Sequence, residues 1–118
     1  MKFMTFIKLS EKYRDLPMPK ALNDAMGPFV GAAMSSGKVT ETAGLKASKE
    51  GFRIRSKGGK LTRTDGPFTE AKEVVGGFAI FNVKDRAEAE KVATEFMELH
   101  RVHWPELECE CEVRQYDE

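Results

Sequence analysis

His100 and His103 are the two histidines of the chain. At i, i+3 they are neighbours on a helix surface. Imidazole changes charge near neutral pH, so the pair can move protons. With an acidic ligand from elsewhere it can hold a metal. A histidine near a helix C-terminus can also bond the last carbonyls and complement the helix dipole. The spacing leaves these three roles open. There is no His-Glu-x-x-His motif and no cysteine pair at zinc spacing, so no metal site is assigned. Asp65 is the second candidate. Beside Pro67 and Phe68 its carboxylate can act as a base; Asp before Gly-Pro is also ordinary turn chemistry. Lys72 can anchor an anionic group and Glu73 can relay a proton, or the two form a solvated charge pair. Gly66 belongs to the same run. Phe68 and Trp104 can line a pocket or simply pack. Gly76-Gly77 suits a bulge, or a close approach by a ligand or another backbone. No phosphate loop, nucleophile elbow or dinucleotide fingerprint is present.

The elements that position these residues follow from periodicity. Lys2 to Leu9 is a strand with apolar residues on both parities, so it needs cover on both sides. Ser10 to Pro17 is a polar loop. From Pro19 to Ser36, Leu22, Met26, Phe29 and Ala33 repeat at helical spacing, with Gly37 as the stop. Gly27-Pro28 predicts a kink or break. Lys38 to Ala47 is a second strand. Phe52 to Arg55 and Lys60 to Thr64 flank a Lys57-Gly58-Gly59 turn and form a hairpin. Asp65-Gly66-Pro67-Phe68 is dense turn chemistry. Glu73 to Val83 is the strongest strand, again apolar on both faces. Plain alternation puts Val75 with Ala79, Phe81 and Val83, and Val74 with Phe78 and Ile80. Asp85 caps an amphipathic helix that runs to about His103 and ends at Trp104-Pro105. Its inner stripe turns both histidines toward the sheet. Glu108 to Tyr116 alternates as a strand with one wet face.

With 118 residues and 13.3 kDa, the chain is one domain over residues 1–118. Hydrophobic residues are 41% and charged residues 32%, which is a globular balance. Nineteen basic and nineteen acidic side chains cancel, which argues against non-specific nucleic-acid binding. The charge is uneven, however. Lys38 to Arg63 is strongly basic, and Arg86 to Glu118 is strongly acidic. No apolar run has membrane-spanning length, and the apolar start is too short for a secretory signal. Cys109 and Cys111, at i, i+2, cannot comfortably form a disulfide within a strand. A reduced, cytoplasmic protein is expected.

The order is strand, helix, strand, inserted hairpin, strand, helix, strand. Without the hairpin this is a ferredoxin-like βαββαβ pattern in an α+β domain. Two helices cover one face of such a sheet. The other face is also apolar, and a second copy packed face to face would cover it. A homodimer is therefore expected, with a ligand pocket between sheet and helices, rimmed by Asp65 to Glu73.

The run Thr64-Asp65-Gly66-Pro67-Phe68-Thr69-Glu70-Ala71-Lys72-Glu73, followed by Gly76-Gly77-Phe78, resembles the signature of YCII-related proteins of the Asp-Gly-Pro-Phe type. Met97 to Pro105 and Glu112-Val113-Arg114 resemble one branch of that family. The resemblance implies a dimeric α/β-barrel built from ferredoxin-like halves. The wider family carries a first-helix histidine paired with an aspartate as a proposed active site. Here Met26 or a neighbour takes the histidine's place, and Asp65 matches the signature aspartate. Three readings stay open: a purely structural one, in which the signature loop locks the dimer, and two functions. One is acid/base chemistry on a small polar metabolite, with Asp65 as base, His100 or His103 as proton partner and Lys72 as anion anchor. Gly66, Phe68, Glu73, Met26 and Trp104 then shape the ligand site. The other is a non-catalytic ligand-binding or regulatory module, associated with a sigma-factor-like regulator as some relatives are. No cofactor is identified by the residues. The expected partners are a second copy and a small molecule, with no nucleic acid and no membrane.

Overall fold

The computed structural model describes residues 1–118, apart from the side chains of Arg14 and Asp15. The described residues form an α+β domain: β1 (Lys2–Leu9), α1 (Lys20–Ser35), β2 (Val39–Gly44), β3 (Phe52–Lys57), β4 (Lys60–Asp65), β5 (Val74–Asn82), α2 (Arg86–His103) and β6 (Cys109–Gln115). Short 3₁₀ turns cover Glu11–Asp15, within the expected loop, and Ser48–Glu50, just past the expected end of the second strand, which itself stops at Gly44. No helix among the described residues is long and apolar enough to cross a membrane.

Four strands form one sheet in the order β2-β5-β1-β6, with every neighbouring pair antiparallel. Both helices pack on one face. Phe3, Val39, Phe81 and Val83 from the sheet side meet Ala89, Val92 and Ala93 of α2, with Phe29 and Ala33 of α1 beside them. Helical spacing accounts for the choice: Leu22, Met26, Phe29 and Ala33 turn inward, and Leu22 is wholly buried. The helix runs unbroken through Pro28, against the expected break. Gly27, Pro28 and Asp24 are all exposed, so water can take the Asp24 carbonyl that Pro28 cannot bond. At the start of α2 the Asp85 carboxylate accepts from Glu88 N–H at 2.9 Å, as a cap should.

The bulge corrects the expected faces of β5. Ile7 pairs with Gly77, but Lys8 pairs with Val75 and Leu9 with Val74. Gly76 is the extra residue, and its carbonyl accepts from Leu45 N–H at 2.9 Å. One added residue flips the parity beyond it. Val75 therefore joins Phe78 and Ile80 on the face away from the helices, and Val74 joins Ala79 and Phe81. Gly77 also meets the close-approach expectation, since a Cβ there would lie 3.1 Å from the Ala43 carbonyl oxygen. The helix-free face thus carries Met4, Phe6, Phe78, Ile80 and Val75, and Val75 is 41% exposed. Lys8 and Glu112 form an ion pair there at 3.0 Å, and that hydrogen bond raises the lysine pKa.

The hairpin β3–β4 is a separate two-stranded sheet that packs chiefly on itself. Gly58 and Gly59 turn it with positive φ. The radius of gyration is 15.9 Å. A compact chain of this length would be about 13.5 Å. The hairpin projects from the body.

Candidate functional site

The sequence-predicted site residues fall into two groups. Phe68 and Glu73 border a depression of 440 Å³ together with Ser48 and Arg53. Met26, His100 and Trp104 line a different cavity of 390 Å³ between the helices and the sheet. Asp65 and Lys72 line neither. The pocket expected between sheet and helices is present, with its rim formed by residues other than Asp65 to Glu73.

The signature run is fixed through its backbone. Gly66 lies so close to the 3₁₀ turn at Ser48 that a Cβ would fall 1.7 Å from the Ser48 carbonyl oxygen. Glycine is required there by contact, whatever its φ. The Gly66–Pro67 peptide is cis, and Gly66 N–H bonds the Gly51 carbonyl at 2.9 Å. Phe68 N–H donates to Ser48 Oγ at 3.1 Å. Ser48 in turn donates from Oγ at 2.7 Å and from N–H at 2.9 Å to one carboxylate oxygen of Glu11. The other Glu11 oxygen is buried with no partner among the described residues. Arg53 lies over the Phe68 ring at 3.8 Å and pairs with Glu70. The Glu70 carboxyl is held below its ordinary range, first by its own backbone amide and then by Arg53. Asp65 ends β4, exposed, with its carboxylate 2.9 Å from the Arg63 guanidinium. Lys72 is exposed too.

The helix–sheet cavity is built differently. His100, in the last turn of α2, is buried at 8% exposure. Its Nδ1 lies 3.0 Å from the Phe96 carbonyl oxygen. A carbonyl can only accept, so Nδ1 is the donor in this contact, which leaves Nε2 as the ring nitrogen available to a ligand. The Phe96 ring packs on the imidazole with centroids 4.7 Å apart. Leu9, Met26 and Trp104 supply apolar wall, and Gly76-Gly77 form part of it with bare backbone. His103, one turn on, is half-buried and does not line this cavity. Deeper in lies a 50 Å³ void bordered by Thr5, whose buried hydroxyl has no partner among the described residues.

The arrangement lets one buried imidazole accept a proton or hydrogen bond beside a mainly apolar, solvent-open wall. The described residues include no group of three or more His, Cys, Asp or Glu placed to hold a metal ion. Cys109 and Cys111 are free, and burial pushes the Cys111 thiol up to about 11. It is protonated at neutral pH and a poor nucleophile there. Glu11 and Ser48 were not found by sequence reasoning. They stand 37 residues apart, and no local pattern joins them.

Residues 1–96 match the model of the YCII-related domain family. No curated protein matches the chain significantly.

Proposed function

The chain belongs to the YCII-related domain family, and we propose that it binds a small, largely apolar molecule in the helix–sheet cavity, with His100 as its proton-accepting group. The observation that carries this is the His100 hydrogen bond: Nδ1 is tied to the Phe96 carbonyl, which leaves Nε2 as the free ring nitrogen of a residue lining a 390 Å³ cavity walled mainly by apolar side chains. That volume suits a small ligand. Such a ligand presents a hydroxyl or another acidic proton to Nε2. Chemistry at this site is general-base catalysis by His100.

The functional unit is a ferredoxin-like half paired with a second copy, stacked on the helix-free face. Support comes from Met4, Phe6, Phe78, Ile80 and Val75, an apolar set that the chain's own helices leave uncovered. Free Cys109 and Cys111 fit a reducing compartment, the cytoplasm.

The test is ¹⁵N NMR of the His100 imidazole during titration with p-cresol and other monohydroxylated aromatics. Binding should move the Nε2 resonance saturably and leave Nδ1 protonated. His100→Gln should weaken binding about tenfold, the loss of one buried hydrogen bond. Equal binding by His100→Gln, or an unmoved Nε2 throughout the series, refutes the assignment.

A further inference from the structure

Beneath the helices, β1 carries a hydroxyl between apolar neighbours. Phe3, Thr5 and Ile7 follow one another on its helix-facing side. Thr5 is 3% exposed, and its Oγ1 is buried with no partner among the described residues. β1 is an interior strand, paired with β5 on one side and β6 on the other. A buried hydroxyl without a hydrogen bond destabilises a fold. Valine has nearly the same shape and lacks that penalty, so threonine here does nothing for the stability of the empty protein.

The space beside Thr5 suggests what the hydroxyl is for. Thr5 borders a 50 Å³ void walled by Phe29, Ala33, Val92 and Ala93, among others. That exceeds the roughly 10–15 Å³ a single water-sized group needs. A trapped water also needs 2–4 polar partners. Besides Thr5, the void offers the weakly bonding Cys111 thiol and the Thr42 hydroxyl, whose proton is already given to the Phe78 carbonyl at 2.9 Å. No charged side chain borders the void among the described residues. A carboxylate or ammonium group would be buried there without compensation, whereas a neutral hydroxyl would be matched by Thr5.

The void adjoins the His100 cavity. Ile7, Val30 and Phe96 border both spaces. The Phe96 ring also packs on the His100 imidazole at 4.7 Å. Ala93, at the void, and His100, at the cavity, are two turns apart on α2, about 10 Å. We propose that Thr5 is a specificity residue: the end of the ligand remote from His100 passes Phe96 into this void and places an uncharged hydroxyl on Thr5 Oγ1. The ligand class is then an elongated molecule with an acidic proton at one end and a neutral hydroxyl at the other. This rests on the His100 site proposed above and adds its far end.

A matched pair of ligands tests it: p-(hydroxypropyl)phenol, with its hydroxyl on the terminal carbon, and p-butylphenol, which has a methyl group there. Thr5→Val should weaken binding of the first about tenfold and leave the second unchanged or tighter. Thr5→Ser, which keeps a hydroxyl, should restore most of the loss. In wild type, intermolecular NOEs should join the hydroxypropyl chain to the Thr5 methyl group; this readout stands even if a variant fails to fold. Without ligand, Thr5→Val should raise the Tm by roughly 4 °C. A fall in Tm would show the hydroxyl already satisfied in the empty protein, by a resident water, and overturns the proposal. Equal effects of Thr5→Val on both ligands, or no NOE to Thr5, overturn it too, and leave the His100 reading intact if both ligands move Nε2. Thr5-dependent binding with Nε2 unmoved keeps the Thr5 site and removes His100. Failure of both ligands to bind overturns both.

Discussion

The helix-covered face of the sheet and the signature loop are both fixed in place, by different forces. Behind the sheet, Phe3, Phe81, Val83 and Val92 are nearly free of water and packed on one another. Such burial is non-directional and worth about 1.5–3 kcal/mol per large side chain. At the loop, Gly66 rests on the Ser48 backbone, Phe68 N–H bonds Ser48, and Ser48 bonds Glu11. Each such bond is worth about 1 kcal/mol net and tolerates little misplacement. The run that looks densest in chemistry contributes Gly66 and the Phe68 amide to seating the loop. The buried imidazole is supplied by ordinary apolar periodicity in α2.

Three substitutions sharpen that contrast. Phe81→Ala should cost about 3–5 kcal/mol in urea unfolding, as expected for a buried ring in a sheet core. A loss under 1 kcal/mol would mean that the face is not the core. Gly66→Ala should cost less, about 1–3 kcal/mol, by forcing the loop off the Ser48 turn. Hydrogen exchange should show the Phe68 amide deprotected while the β1 and β5 amides stay protected. Loss of protection across the whole sheet would show the two regions to be one cooperative unit. Asp65→Asn should change stability by no more than about 0.5 kcal/mol, since its pair with Arg63 is exposed. A larger loss would give the carboxylate a structural part that its exposure does not account for.

Much of this fold is legible from spacing. The Asp85 cap, the inward stripe of α2, the first helix and the hairpin turn all express patterns a few residues long. His100 could be singled out because the same stripe carries it inward. His103, three positions on and last in the helix, is only half-buried. The faces of β5 were legible only as far as Gly76. Two glycines signalled an irregularity there, but whether it reversed parity depended on the register with β1. The split between the Asp65 and His100 regions was also beyond local pattern. Turn chemistry shows that residues 65–68 bend, without showing what the bend docks against. The family match ends at residue 96, so His100 and Trp104 lie outside the matched span.

By itself, the sequence determined the kinds and order of the elements, the inward faces of both helices, and a sheet apolar on both sides. Only the tertiary structure decided the bulge parity, the contact that makes Gly66 obligatory, and the separation of the Asp65 carboxylate from the His100 cavity. The physical reason is range. Periodicity and capping are set by neighbours along the chain, whereas register and loop docking are set by groups such as Glu11 and Ser48 that meet only after the chain has folded.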